Sequence, residues 1–186
     1  MEATKKFYKI IVFLFLFFIL FVSSYIFFSY EKIETDIKPD EAGCFQEEEK
    51  IIQGDSMAPM LPDKESIILL ENYYKCGYLA ERGEVIAYNY GGRENPLIKI
   101  VKATSADKVE IFGGRLKVND EIMKNSVGQE YSFTEKEREI MGLYIKDGHI
   151  PSDSFFIFGD NIGDSADSRK FGAVSAGDFL GKFVVE

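Results

Sequence analysis

The chain has 186 residues, of which 46% are hydrophobic and 15% aromatic, enough for one membrane segment and one compact domain. Its formal net charge is −9, and residues 31–186 alone carry 19 basic against 30 acidic side chains, a net charge of −11. An acidic body argues against a nucleic-acid partner, because phosphate binding requires a basic face.

Residues 1–9 carry three lysines and are predicted to form a short cytoplasmic N-terminus. Residues 10–30 contain no charged side chain, and a helix of that length, at about 1.5 Å per residue, spans the roughly 30 Å hydrocarbon layer. The lysines precede this run and Glu31 follows it, so the positive-inside rule places the body of the chain outside the cytoplasm. A cleaved signal peptide is the alternative, but its apolar core is shorter and ends in small residues. We therefore predict a retained single-pass anchor in the cytoplasmic membrane.

Residues 31–50 are predicted to be a charged, solvated linker, because they contain Pro39 and three consecutive glutamates. Residues 51–186 then form the predicted extracytoplasmic domain. The two cysteines, Cys44 and Cys76, have neither the spacing of a metal site nor that of a CxxC redox motif. The sequence leaves open whether they pair or remain free thiols.

The body consists mainly of short apolar runs of the kind that form strands. Gly113-Gly114 separates two of these runs and indicates a two-residue hairpin. One helix is predicted over residues 134–141, where Thr134 and Glu137 stand at capping-box spacing. Many short strands with few helices predict an all-β, antiparallel domain. The predicted strands cover residues 66–70, 85–90, 97–104, 108–112, 115–119, 155–158 and 179–185.

The stretch from Gly54 to Leu61 offers a candidate nucleophile, Ser56. Gly54 allows another backbone to approach closely, and Pro59 stiffens the segment after the serine. The apolar side chains that follow Ser56, including that of Met57, would line a dry groove beside the hydroxyl. The alternative interpretation is an ordinary surface turn.

A serine nucleophile needs a base. The chain's one histidine, His149, lies in a turn-like segment that suggests a surface loop, so a lysine is the expected base. Lys99 and Lys102 lie on the predicted strand 97–104 among apolar neighbours, and burial lowers the pKa of a lysine from its solution value of about 10.4. Alternation along the strand does not choose between the two lysines. For each of them, the alternative is a stem that packs while the ammonium reaches solvent.

The segment from Gly159 to Gly172 is crowded with glycine, aspartate, asparagine and serine. A calcium loop is one interpretation, but the EF-hand glutamate is missing and Arg169 would repel a cation. A structural loop held by an Asp–Arg pair fits better, and no metal or cofactor is implied.

Four segments together carry a family resemblance, because they occur in the order and at the spacing of one known pattern. The chain resembles type I signal peptidase, a membrane-anchored serine–lysine protease that removes signal peptides from exported proteins. The matching segments are Gly54-Asp55-Ser56-Met57-Ala58-Pro59-Met60-Leu61, Arg82-Gly83-Glu84-Val85-Ile86-Ala87-Tyr88, Leu97-Ile98-Lys99 with Asp107-Lys108-Val109, and Gly159-Asp160-Asn161 with Asp164-Ser165-Ala166-Asp167-Ser168-Arg169 and Phe171-Gly172.

The resemblance implies a fold of two antiparallel sheets, an apolar surface resting on membrane lipid, and preprotein substrates with small residues at positions −1 and −3. It implies that Ser56 is the nucleophile and that Lys99 is the general base, chosen over Lys102 by its distance to Asp107. It also implies that Ser165 hydrogen-bonds the lysine. The remaining implied roles are loop support by Asp160, Asn161, Asp167 and Arg169, and a place beside the substrate or oxyanion for Gly54 and Met57.

The chain departs from the family pattern in one turn, Ala103-Thr104-Ser105-Ala106-Asp107, where members usually have G-x-P-G-D, and at two single positions. Ile100 stands where members commonly have arginine, and Gly54 stands where some members place an oxyanion-hole serine. The backbone N–H of Ser56 and other backbone groups are then the expected oxyanion donors. Two alternative functions remain: a serine–lysine protease for one dedicated substrate, and a catalytically silent membrane-anchored β domain.

Overall fold

The structure, a computed structural model, describes residues 44–91 and 95–185. The predicted cytoplasmic N-terminus, the predicted anchor at residues 10–30 and the first part of the predicted linker lie outside these residues. Among the residues that are described, no helix has both the length and the apolar character needed to cross a membrane.

The described residues form two antiparallel sheets. The strands are β1 (Gln46–Ile51), β2 (Ser66–Glu71), β3 (Val85–Tyr88), β4 (Leu97–Thr104), β5 (Val109–Phe112), β6 (Arg115–Val118), β7 (Glu121–Ile122), β8 (Ser154–Phe158), β9 (Val174–Ser175) and β10 (Phe179–Val184). The larger sheet has the strand order β1-β2-β10-β3-β4-β8-β9, and the smaller has the order β5-β6-β7. The predicted antiparallel all-β architecture is confirmed.

Two short α-helices accompany the sheets in the described part of the chain. Helix α1 (Glu135–Gly142) is capped at its N-terminus by Thr134, whose side chain forms the predicted capping box with Glu137. Helix α2 (Ser168–Phe171) is capped by Asp167, whose carboxylate accepts a hydrogen bond from the backbone of the first turn. Two 3₁₀ turns, Tyr73–Cys76 and Ala176–Asp178, complete the helical elements.

Strand β1 corrects the prediction for the linker. Residues 46–50 were expected to be solvated spacer, but they pair with β2 along the whole of β1, from Gln46 opposite Glu71 to Ile51 opposite Ser66. The three glutamates remain exposed on this outermost strand. Charged side chains suit a sheet edge, because they oppose pairing with another chain. The charge of the glutamates therefore indicates solvent exposure correctly but does not indicate that they lie on a strand.

A disulfide joins Cys44 to Cys76 across a sequence separation of 32 residues. It connects the start of β1 to the 3₁₀ turn that follows β2. The loop it closes contains the candidate nucleophile, Ser56. The sequence left this pairing open, and the structure forms it.

Three hydrophobic clusters fill the domain, and one of them supports the Ser56 segment. Met57 and Leu61 are buried against side chains of the larger sheet. Burying two apolar side chains of that size stabilises the segment by roughly 1.5–3 kcal/mol each. Sheet packing therefore fixes the segment that carries Ser56. The sheet residues of this cluster are Ile67, Leu69, Val85, Ala87, Ile100 and Phe183.

Candidate active site

Ser56 lies in a closed turn, residues 54–61, which we call the Ser56 turn. The turn is held by hydrogen bonds from Ala58 N to Asp55 O (3.0 Å) and from Leu61 N to Met57 O (2.9 Å). Gly54 has a φ of 82°, a backbone conformation that glycine adopts at little cost. These restraints hold the serine at the surface of the apolar cluster.

The structure places the hydroxyl of Ser56 beside the amine of Lys99, with Oγ and Nζ 3.0 Å apart. Lys99 lies on β4, which is hydrogen-bonded on one side to β3 and on the other to β8. The Lys99 side chain is buried, with 1% of the residue exposed, and Nζ donates a hydrogen bond of 2.7 Å to Ile98 O. A central strand thus presents the lysine to the turn that carries the serine.

The pKa of Lys99 is lowered from 10.5 to about 8, chiefly by burial; the carboxylate of Asp167 opposes this shift, and the positive charge of Arg169 contributes to it. A pKa of about 8 leaves roughly a tenth of the lysine neutral at pH 7. A neutral amine can accept a proton from a serine hydroxyl at hydrogen-bonding distance.

The amine of Lys102 contacts other groups than Ser56. Its Nζ donates a hydrogen bond of 3.0 Å to Lys124 O and lies 5.2 Å from the centre of the Tyr131 ring. Burial also lowers the pKa of Lys102, and the charge of Asp160 opposes the shift. Position therefore selects Lys99 as the partner of Ser56, whereas pKa alone does not.

Asn161 connects the loop of residues 159–172 to the Ser56 turn. Its backbone N–H donates to Ser56 O (3.1 Å), and its side-chain Nδ2 donates to Asp55 O (3.0 Å). The Oδ1 atom accepts a hydrogen bond from Asp164 N (3.2 Å). The carbonyl of Ser56 is therefore held by the loop that the resemblance implied would support the site.

Asp167 and Arg169 form the predicted pair, a buried salt bridge of 2.7 Å between Oδ2 and Nη2. Asp167 also accepts a hydrogen bond from Gly159 N (3.1 Å), and Arg169 donates one to Ile162 O (2.7 Å). The pair ties both ends of the loop together next to Lys99. Among the described residues, no group of three or more histidine, cysteine, aspartate or glutamate side chains is arranged to hold a metal ion.

Ser165 differs from its prediction. Its Oγ is buried but, within the described part of the chain, makes no hydrogen bond, so the predicted bond to Lys99 is not formed. The amine of Lys99 instead contacts Ile98 O and Ser56 Oγ. Ser165 is nevertheless close to the site. Its Oγ and the carbonyl oxygen of Ser56 both lie against Gly159, where an added Cβ would overlap them.

A groove with a volume of about 300 Å³ runs beside the Ser56 hydroxyl. Gly54 and Met57 both line it. The N–H of Gly54, however, donates to Asp63 Oδ1 (2.8 Å), so Gly54 is not a free oxyanion donor. The apolar side chains of the groove include those of Ile52, Met57, Leu69, Ala87, Ile98 and Phe183.

Several residues that support the site through hydrogen bonds are not predicted from the sequence. Tyr131 donates its hydroxyl to Gly159 O (3.1 Å), and Ser168 Oγ accepts a hydrogen bond from Ile157 N (2.8 Å). Ser126 donates to the carboxylate of Asp160 through both its backbone and its hydroxyl. Residues 123–150 match no motif of the resemblance, and near Ser126 the available signal is Gly128, which marks a turn without indicating its function.

The chain is similar to known proteins of one family. The family described as signal peptidase, peptidase S26, matches residues 44–186. Signal peptidase IB of Staphylococcus aureus is 31% identical over 140 residues, covering 70% of this chain and 72% of its own. Signal peptidase I U of Bacillus subtilis is 29% identical over 132 residues, covering 70% of each chain.

Among solved structures, a signal peptidase I from Enterococcus faecalis is similar at 19% identity and a TM-score of 0.45, covering 57% of this chain and 98% of that one. The family match and the sequence relatives carry the assignment. The chain belongs to the signal peptidase family, peptidase S26.

Proposed function

We propose that the chain is a membrane-anchored endopeptidase that removes signal peptides from exported preproteins by serine–lysine chemistry. The observation that carries the proposal is the 3.0 Å separation between Ser56 Oγ and the buried amine of Lys99. Membership of the signal peptidase family supports the substrate class.

In the proposed mechanism the neutral amine of Lys99 takes the proton of the Ser56 hydroxyl as Oγ attacks the scissile carbonyl. The carbonyl oxygen becomes an oxyanion that accepts a hydrogen bond from the backbone N–H of Ser56. The protonated Lys99 then gives its proton to the leaving amine, and an ester between Ser56 and the signal peptide remains. Water, deprotonated by Lys99, attacks this ester and releases the peptide as a carboxylate.

The groove beside Ser56 supports a peptide substrate with small apolar side chains. Its apolar walls come from the cluster beneath the Ser56 turn, and Ala87 leaves space in the wall where a larger side chain would fill it. We propose that the residues just before the cut bind here. Their burial would also exclude water from the dyad and keep Lys99 neutral.

The anchor and the lipid contact are part of the proposal. A helix over residues 10–30 would confine enzyme and preprotein to one membrane surface, which raises their effective concentration without new contacts. The disulfide between Cys44 and Cys76 suits a domain outside the cytoplasm, where thiols are oxidised.

The test is cleavage of an exported precursor by the full chain in detergent. We expect Ser56→Ala and Lys99→Ala to abolish cleavage. Lys102→Met is the matched control, because Lys102 is a half-buried lysine on the same strand but contacts Lys124 O, so we expect it to keep the pH dependence of the unmodified enzyme. Cleavage that survives either dyad substitution would refute the mechanism. A lack of cleavage by the unmodified chain on every precursor would favour a silent domain.

A further inference from the structure

A second turn, residues 124–130, is hydrogen-bonded to Asp160 of the candidate site. We call it the Ser126 turn. It is closed by paired backbone groups of Lys124 and Glu130 and organised by Asn125, whose Oδ1 accepts hydrogen bonds from Val127 N (3.2 Å) and Gln129 N (2.8 Å). A side chain that bonds its own turn in this way restricts the backbone of the residues between. The Ser126 turn therefore has a restricted backbone conformation.

The Ser126 turn contacts one residue of the site, Asp160. Ser126 N donates to Asp160 Oδ1 (2.7 Å), and Ser126 Oγ donates to Asp160 Oδ2 (2.5 Å). Asn125 Nδ2 adds a hydrogen bond of 3.2 Å to Asp160 O. From the other side, Met60 N of the Ser56 turn donates to Asp160 Oδ2 (3.2 Å). One carboxylate thus links the two turns.

Asp160 is fully buried, with 0% of the residue exposed, and within the described residues no cationic group forms a salt bridge with it. A buried carboxylate needs hydrogen-bond donors, and bonds to a charged acceptor are stronger than those between neutral groups. Ser126 supplies two of the three donors to the Asp160 carboxylate, and the Ser56 turn supplies the third. The position of the carboxylate, and with it that of Met60 N, therefore depends chiefly on Ser126.

We propose that Ser126 is a positioning residue for proteolysis: through Asp160 it fixes the Ser56 turn, and so the alignment of the Ser56 hydroxyl with Lys99. This inference rests on the proposed dyad. Ser126 touches neither Ser56 nor Lys99, and it is not among the residues that line the groove. Small displacements of a nucleophile reduce the rate strongly, because attack requires the reacting atoms to be aligned.

The test compares three variants of the full chain in detergent with the same precursor. Ser126→Ala removes the hydroxyl and keeps the backbone donor, Ser126→Thr keeps both, and Ser152→Ala makes the same change at an exposed serine. We expect kcat to fall about tenfold in Ser126→Ala, which equals about 1.4 kcal/mol, with KM changed less than twofold. Ser126→Thr and Ser152→Ala should stay within threefold of the unmodified kcat.

The pH profile separates positioning from general loosening. Displacement of the Ser56 turn lowers the plateau of kcat and leaves its midpoint, whereas water reaching Lys99 raises the midpoint from about 8 towards 10.5. We expect a lower plateau and the same midpoint. If Ser126→Ala does not fold, Ser126→Cys keeps the size with only a weak donor and gives the same comparison.

An unchanged kcat in Ser126→Ala would overturn the proposal, as would an equal loss in Ser126→Thr or a raised midpoint. The dyad is tested independently by Ser56→Ala in the same assay. If that variant still cleaves, the proposed mechanism fails, whatever Ser126 does. If it is inactive while Ser126→Ala is unchanged, only the positioning role fails.

Discussion

Replacing the buried lysine by methionine should abolish proteolysis and, at neutral pH, make the domain more stable. Methionine has a similar unbranched stem but no charge, so Lys99→Met keeps most of the packing beside Ile98 and removes the ammonium. A functional residue that costs stability is expected at an active site, where a group is held in an environment that disfavours its charged form.

The magnitude follows from the pKa of Lys99, which burial lowers from 10.5 to about 8. At about 1.36 kcal/mol per pKa unit, folding against a protonated Lys99 costs about 3 kcal/mol. The whole cost is present below about pH 8, where the lysine is protonated in both states. Between pH 8 and 10.5 the unfolded chain binds more protons than the folded chain, so stability rises with pH until the cost has disappeared.

Lys99→Met also loses the hydrogen bonds to Ile98 O and Ser56 Oγ, which contribute about 1 kcal/mol each. The variant should therefore be more stable by about 1 kcal/mol at pH 7, and the stability difference should shift against it by about 2 to 3 kcal/mol on going to pH 10. The assay is urea unfolding of the full chain in detergent, followed by near-ultraviolet circular dichroism of the tyrosines, since the chain has no tryptophan. Lys136→Met, the same change at an exposed lysine of helix α1, is the control. A Lys99→Met variant that is less stable at pH 7, or whose stability difference ignores pH, would refute the reasoning.

Two further predictions concern the support of the site. Cys76→Ser opens a loop with a sequence separation of 32 residues and should cost about 3 to 4 kcal/mol, seen as a lower melting temperature without reductant; equal melting temperatures for variant and parent would contradict a role for the disulfide in stability. Gly159→Ala adds a methyl group that overlaps Ser56 O and Ser165 Oγ and should lower kcat at least about a hundredfold. Gly142→Ala, where an added Cβ meets nothing within 4 Å, is its control, and equal activity of these two glycine variants would show that the close packing is unimportant.

The elements that sequence predicted well are those fixed by local pattern. Strand β4 (Leu97–Thr104) has the predicted ends, because its apolar residues are buried within the larger sheet. The hairpin at Gly113-Gly114 forms between β5 and β6, with both glycines at positive φ as its two-residue turn requires. Helix α1 begins where the capping box placed it. In each case the residues that decide the structure are close together in sequence.

Features that depend on distant contacts were harder to predict. Lys99 and Lys102 have equally apolar neighbours along the strand, and only contacts across 43 and 22 residues separate them. Ser126 meets Asp160 at a separation of 34 residues, in a segment without a recognisable motif. The pairing that makes Gln46–Ile51 a strand lies in β2 and not in its own glutamates. The resemblance supplied Lys99, whereas Ser126 and β1 needed the structure.

The pH dependence of kcat/KM for precursor cleavage tests the central claim most directly, namely that a neutral Lys99 activates Ser56. Because the pKa of Lys99 is lowered to about 8, the rate should rise about tenfold per pH unit below that value and level off near pH 9. The same profile should remain in Lys102→Met. A rate that is flat between pH 6 and 9, or one that still rises steeply at pH 10, would contradict the account.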